Sequence, residues 1–189
     1  MFCFQHNIYI SGINSILNTH YLGWFKMKSE KEHFLEAWDS EFQTTLKVLK
    51  AYPHDRQDYK PNEKSKTAKE LAWVFASEES TAFPGVIAGN IDWTSMPKPP
   101  ETFKEVLIEY EKAHKETMKI VRDADDEQFE GTMKFFVAPK KQGDIPKMRI
   151  MWMMLMDQIH HRGQFSVYLR LVGAKVPSIY GPTADEPWM

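Results

Sequence analysis

Asp157 and His161 stand four residues apart in the run IMWMMLMDQIHHRGQ, Ile150 to Gln164. On a helix, residues at i and i+4 lie one above the other on the same face. A carboxylate and an imidazole placed this way can share one divalent metal ion, as the two histidines of a HExxH helix do. They can also work as an acid–base pair, or serve only as a buried, hydrogen-bonded structural pair. His160 is rotated by about 100° from its neighbour and is expected at the surface or at an interface. His114 falls on an apolar stripe and is expected as a hydrogen-bonded core histidine. Glu78 and Glu79 are expected as solvated charges on a helix surface. The chain has no glycine-rich phosphate loop and no GxSxG elbow.

Four helical segments must position these groups. The first runs from about Ser29 to Ala51, with Phe34, Trp38, Phe42, Leu46 and Leu49 at helical steps. The second opens at Thr67, which forms a capping box with Glu70. It continues through Leu71 to Ala76 until Pro84 and Gly85 kink or end it. A proline-rich connector leads to a second capping box, Thr102 and Glu105. The third stripe follows as Phe103, Val106, Leu107, Tyr110, His114, Thr117 and Val121. The fourth helix starts near Pro146 and ends near Val172, with Gly173 as its cap. Its apolar run, Ile150 to Met156, predicts burial on all sides. The inner face is expected to hold Ile150, Met153, Met154, Asp157, His161, Gln164 and Tyr168. No strand-like alternation is sustained, so no sheet is expected. The pattern predicts an all-α four-helix bundle with Trp38, Trp73, Trp152, Leu107 and Tyr110 buried, and sites built from side chains that face its axis.

Composition narrows the function classes. The chain has 189 residues, one domain's length. Lys+Arg 24 against Asp+Glu 26 gives a net charge of −2 and a pI near 6.4. This excludes a basic nucleic-acid binder held by phosphate contacts. One cysteine, Cys3, excludes a disulfide scaffold and a Cys-based zinc cluster, and suits a reducing cytoplasm. Residues 1–26 carry one formal charge, Lys26. Polar side chains such as Asn7, Asn14 and His20 interrupt this stretch, which fits neither a secretory signal nor a membrane span. It is read as an N-terminal extension, with residues 27–189 as the functional chain.

The stretch DQIHHRGQFSVYLRLVGAKVPSIYGPTADE, Asp157 to Glu186, resembles the C-terminal signature of the DinB-like family of metal-dependent four-helix proteins. HHRGQ, VYLR, GAKVPSIYG and ADE occur together and in order. ELAWVFASEE, Glu70 to Glu79, resembles the family's second helix. The resemblance implies an up-down-down-up bundle with a long crossover between helices two and three, and a homodimer. It also implies a metal site of three histidines. On this chain those positions are Val74, Asp157 and His161, so only one histidine is kept. Glu78, one turn after Val74, is the one stand-in that helix two offers. The expectation is a degenerate site, with Val74, Asp157, His161 and Gln164 around a pocket. It would hold no cofactor, or a divalent zinc or nickel ion bound weakly. The protein would then be a small-ligand or stress-related protein. The alternative implied by the resemblance is a divalent-metal-dependent thiol S-transferase-like enzyme.

Overall fold

The computed structural model describes residues 27–189. The expected extension, residues 1–26 with Cys3, lies outside the described residues. Helix α1 spans Glu30–Lys50 and α2 spans Ala68–Ser77. The chain then makes one π-helical turn, Glu78–Ala82, before α3, Phe83–Ala88. Helix α4 spans Phe103–Asp123 and α5 spans Lys147–Leu171. Both expected capping boxes form, Thr67 with Glu70 and Thr102 with Glu105. Gly173 follows the last helix at φ +76°, a left-handed conformation that glycine adopts without steric cost. Among the described residues no helix is long and apolar enough to cross a membrane.

Ring contacts give the topology. Along α1 and the turn after it, Trp38 meets His114, Phe42 meets Tyr110 and Tyr52 meets Phe103, so α4 runs antiparallel to α1. Phe34 meets Trp152 and Tyr52 meets Phe165, so α5 runs parallel to α1. Phe75 meets Tyr110 and Glu79 meets His114, so α2 and α4 are parallel. With α2 and α3 taken as one bent helix, the bundle is up-down-down-up, and residues 89–102 form the long crossover.

The core divides into two apolar clusters. One gathers Phe42, Leu46, Phe75, Tyr110 and Phe165. The other gathers Phe34, Trp38, Phe83, Met118, Ile150 and Leu155. Between them a buried polar layer crosses the bundle: Glu78 and Glu79, His114 and Thr117, Gln158 and Arg162. Along α5 the buried stripe is Ile150, Met151, Met154, Leu155, Gln158, Arg162, Phe165, Tyr168 and Leu169, so Ile150, Met154 and Tyr168 of the expected face are buried. In its middle the stripe is offset from the expected inner face. Asp157 and His161 therefore lie half-buried on its flank, and Gln164 is exposed. Met156 is exposed as well, so α5 is not buried on all sides.

Two further expectations are corrected. The loop before α5 is a two-stranded antiparallel hairpin, β1 Thr132–Ala138 and β2 Lys141–Pro146. Only Met133 and Phe135 alternate inward on β1, which is too short a run to read as a strand. The turn is Pro139–Lys140 with Lys140 at φ +61°, so it lacks the Asn-Gly or Asp-Gly signal of tight hairpins. Trp73 and Trp152 are only partly buried. Each keeps its indole N–H at the bundle surface, donating to Pro97 O at 2.8 Å and to Glu30 Oε1 at 3.2 Å. Trp38, Leu107 and Tyr110 are buried as expected.

The tail runs back as an extended strap. Val176 is buried, and its N–H donates to Asp185, which also pairs with Arg170 at 2.7 Å. Glu186 pairs with Lys47 on α1 at 2.9 Å. Deleting residues 176–189 should therefore lower the melting temperature by about 5 °C or more, since burial and several hydrogen bonds are lost together. An unchanged melting curve would mean that the strap contributes nothing to the folded state.

Candidate functional site

The site is built where α2 widens into its π-helical turn. Pro84 has no N–H, so a regular α-helix would leave the Ser80 carbonyl without its donor and crowd it with the ring. The longer i→i+5 turn, with Phe83 N–H donating to Glu78 O, absorbs the mismatch. Pro84 then sits in the first turn of α3, where proline is tolerated. The helix neither ends there nor exposes its acidic pair. Glu78 and Glu79 are both buried, which corrects the expectation of solvated charges.

Glu79 is fully enclosed. Its carboxylate accepts the Trp38 indole N–H at 2.9 Å and meets His114 Nδ1 at 2.9 Å, and Thr117 donates to its backbone oxygen at 2.8 Å. Burial pushes the Glu79 pKa up while the His114 contact opposes the shift. His114 stacks on Phe42 at 3.7 Å and reaches Asp39 with its other nitrogen at 3.3 Å. It is the hydrogen-bonded core histidine that its place on the stripe implied.

Glu78 faces α5. Its Oε2 is buried and has no hydrogen-bond partner. Burial, and after it the nearby Asp157 carboxylate, push its pKa up to about 9. Asp157 and His161 sit opposite, with Oδ2 and Nε2 3.2 Å apart. The hydrogen bond between them lowers the Asp157 pKa and raises that of His161. Ligand-type atoms of Glu78, Asp157 and His161 all lie within 4.8 Å of one another. His161 Nδ1 is 3.2 Å from Gln164 Oε1. With both contacts made, the ring donates from Nδ1–H to Gln164 and from Nε2–H to Asp157, and a metal ion at Nε2 would take the place of the second proton. His160 is exposed and turned toward Gln164 Nε2 at 2.8 Å.

Val74, one turn before Glu78, brings no donor atom and forms part of a wall. With Glu78, His161, Trp73, Trp93 and Pro97 it lines a cavity of about 610 Å³. Gln164 lies outside that cavity and lines a neighbouring one with Lys66, Leu71 and His161. The two-donor face expected from Asp157 and His161 is thus joined by a third donor, the buried Glu78. The set can hold a divalent cation: a buried carboxyl oxygen with no hydrogen-bond partner is costly unless something meets it, and one imidazole with two carboxyl groups suits first-row metals once both are ionised.

Sequence reasoning missed Glu79, Gln158 and Arg162 as the inward polar groups. Only the pairing of two glutamates with Pro84, at the end of an apolar run, hinted at the widened turn.

Known proteins agree with this architecture. An uncharacterized protein of Bacillus subtilis (strain 168), YrdA, is 24% identical over 161 residues, 82% of this chain and 90% of that protein. A DinB-like protein from Bacillus cereus superposes with a TM-score of 0.64 at 23% identity, covering 79% of this chain and 97% of that one. YfiT from Bacillus subtilis, described as a probable metal-dependent hydrolase with an unusual four-helix bundle topology, gives a TM-score of 0.60 at 12% identity over 80% and 93% of the two chains. Residues 27–188 match the DinB family model, and the chain belongs to the DinB family.

Proposed function

We propose that the protein is a divalent-metal-dependent enzyme acting on a small molecule, with Glu78, Asp157 and His161 holding the ion. The observation that carries this reading is the buried, unpartnered Glu78 oxygen converging with the Asp157–His161 pair beside an open cavity. A bound ion would polarise a substrate atom or lower the pKa of a water or thiol. Within the chain, Gln164 orients the His161 ring, and the half-buried Asp157 sets its charge. Trp73, Val74 and Pro97 exclude water from one side of the cavity. Hydrolysis, ascribed to YfiT, and thiol transfer, implied by the family resemblance, both use such activation.

A second reading, a metal-free small-ligand protein, has its own support. The Asp157–His161 pair already ties its face together without a cation. Calorimetric titration of chelator-treated protein with zinc, nickel and manganese separates the two. One ion per chain is expected. Its binding must displace the proton that Glu78, with its pKa near 9, holds at neutral pH. Repeating the titration at pH 7.5 in buffers of different protonation enthalpy should show about one proton or more released per ion. Affinity should rise with pH up to about 9. The absence of binding by all three ions would leave the metal-free reading.

A further inference from the structure

Above the Glu78–His161 floor the cavity has two unlike sides. One is apolar: Trp73, Val74, Trp93, Met96, Pro97 and Pro99. Both tryptophans are held from behind. The Trp73 indole N–H is tied to Pro97 O at 2.8 Å, and Trp93 lies 6.3 Å from Phe135 and 6.2 Å from Phe136 of the hairpin. The other side is the loop leading into α2, which brings Lys64 and Lys66 to the mouth. Its backbone is pinned, since the Tyr168 hydroxyl donates to Lys66 O at 2.9 Å and Ser65 N–H to Asn62 O at 3.0 Å.

Positive charge outnumbers negative at this mouth, with Lys64 and Lys66 against the one rim carboxylate of Glu70. Among the described residues six lysines have carboxylate partners and twelve do not, and two of those twelve, Lys64 and Lys66, share this mouth. Glu70 shares the rim; its carboxylate accepts the Thr67 N–H at 2.7 Å, which lowers its pKa and keeps it ionised, so it offsets one of the two positive charges and leaves one over. The geometry points to a small organic anion with a flat apolar body as the occupant of this cavity. Its acidic group would meet Lys64 and Lys66, and its rings would lie against Trp73 and Trp93. Its far end would reach Glu78 and His161, the one part of this inference that rests on the proposed metal site. A cavity of about 610 Å³ suits a ligand of two or three rings.

Two fluorescent probes test it: 8-anilinonaphthalene-1-sulfonate and N-phenyl-1-naphthylamine, the same ring system without the sulfonate. Both should bind chelator-treated protein. The double variant Lys64→Met, Lys66→Met should weaken the sulfonate by about tenfold and leave the neutral probe within about twofold. The difference should shrink as salt rises. Val74→Trp, which fills the cavity from its wall, should weaken both probes. Equal effects of the lysine substitutions on the two probes, or no effect, would overturn the anion assignment. Unchanged binding to Val74→Trp would place the probes elsewhere and overturn the cavity assignment. These readings need no metal, so a failed zinc titration leaves them standing, and their failure leaves the metal titration untouched.

Discussion

Glu78→Gln is expected to make the metal-free protein more stable and to abolish tight metal binding. The carboxyl group is buried, and its pKa rises from 4.5 to about 9 on folding. Above pH 4.5 the unfolded chain ionises this group while the folded chain keeps it protonated. The stability it contributes is therefore complete below pH 4.5 and is lost as the pH rises toward 9. At pH 7 the protonation cost is about 2–3 kcal/mol, at roughly 1.4 kcal/mol per pH unit with some relief from the part of the group that meets solvent. Glutamine has nearly the same shape and carries no such cost. Thermal melts of chelator-treated protein should show the variant about 5–10 °C more stable at pH 7. The difference should be small at pH 5 and grow toward pH 8.5. The same substitution removes a charged ligand, so zinc affinity should fall by about 100-fold or more, roughly 2.7 kcal/mol. Excess zinc should raise the melting temperature of the wild type and not of the variant. A variant that melts below wild type at pH 7 would mean that the Glu78 carboxyl is ionised in the folded state.

The second large effect is structural. Arg162 is 1% exposed. Its guanidinium donates to the Glu41 carboxylate at 2.5 Å, to Glu41 O at 3.3 Å and to Thr45 Oγ1 at 3.3 Å, and it also contacts the Tyr180 hydroxyl. Tyr180 in turn donates to Glu41 at 2.7 Å, so the tail is closed over the ion pair. Arg162→Met should cost about 3–5 kcal/mol, because it strands the mostly buried Glu41 charge. Chemical denaturation measures the loss directly. Adding Glu41→Met should recover much of it, since replacing both charges leaves no unpaired group. Arg162→Lys should rescue poorly, because one ammonium cannot reproduce the planar fork. If Arg162→Met alone were near neutral, the pair would have to be solvated in solution.

How much of this was legible beforehand follows from the range of each signal. Helix existence, the capping boxes and the C-terminal glycine were readable because they depend on neighbours within four residues. So was His114 as a core residue, since it continues a stripe that begins at Phe103. The hairpin was not readable, because its strands bury only Met133 and Phe135 and are held by pairing that no local alternation announces. The buried stripe of α5 is offset from the expected one in its middle, where Gln158 and Arg162 face inward in place of Asp157 and His161. IMWMMLM is apolar at every step, so hydrophobicity alone cannot say which side faces the axis.

The sequence by itself determined the four helices and the placing of Asp157 and His161 one turn apart, whereas the loss of a donor at Val74 was an implication of the family resemblance alone. The first two are properties of spacing along one element. Tertiary structure decided whether the stand-in that helix two offers, Glu78, meets Asp157 and His161. Glu78 and Glu79 read as a solvated pair, yet at the start of the π-helical turn both are buried, Glu79 against His114 and Glu78 beside Asp157. That outcome depends on the helix register and on the neighbours across the bundle axis. Neither is encoded in the spacing of any single segment, because the burial of a charge is set by what surrounds it.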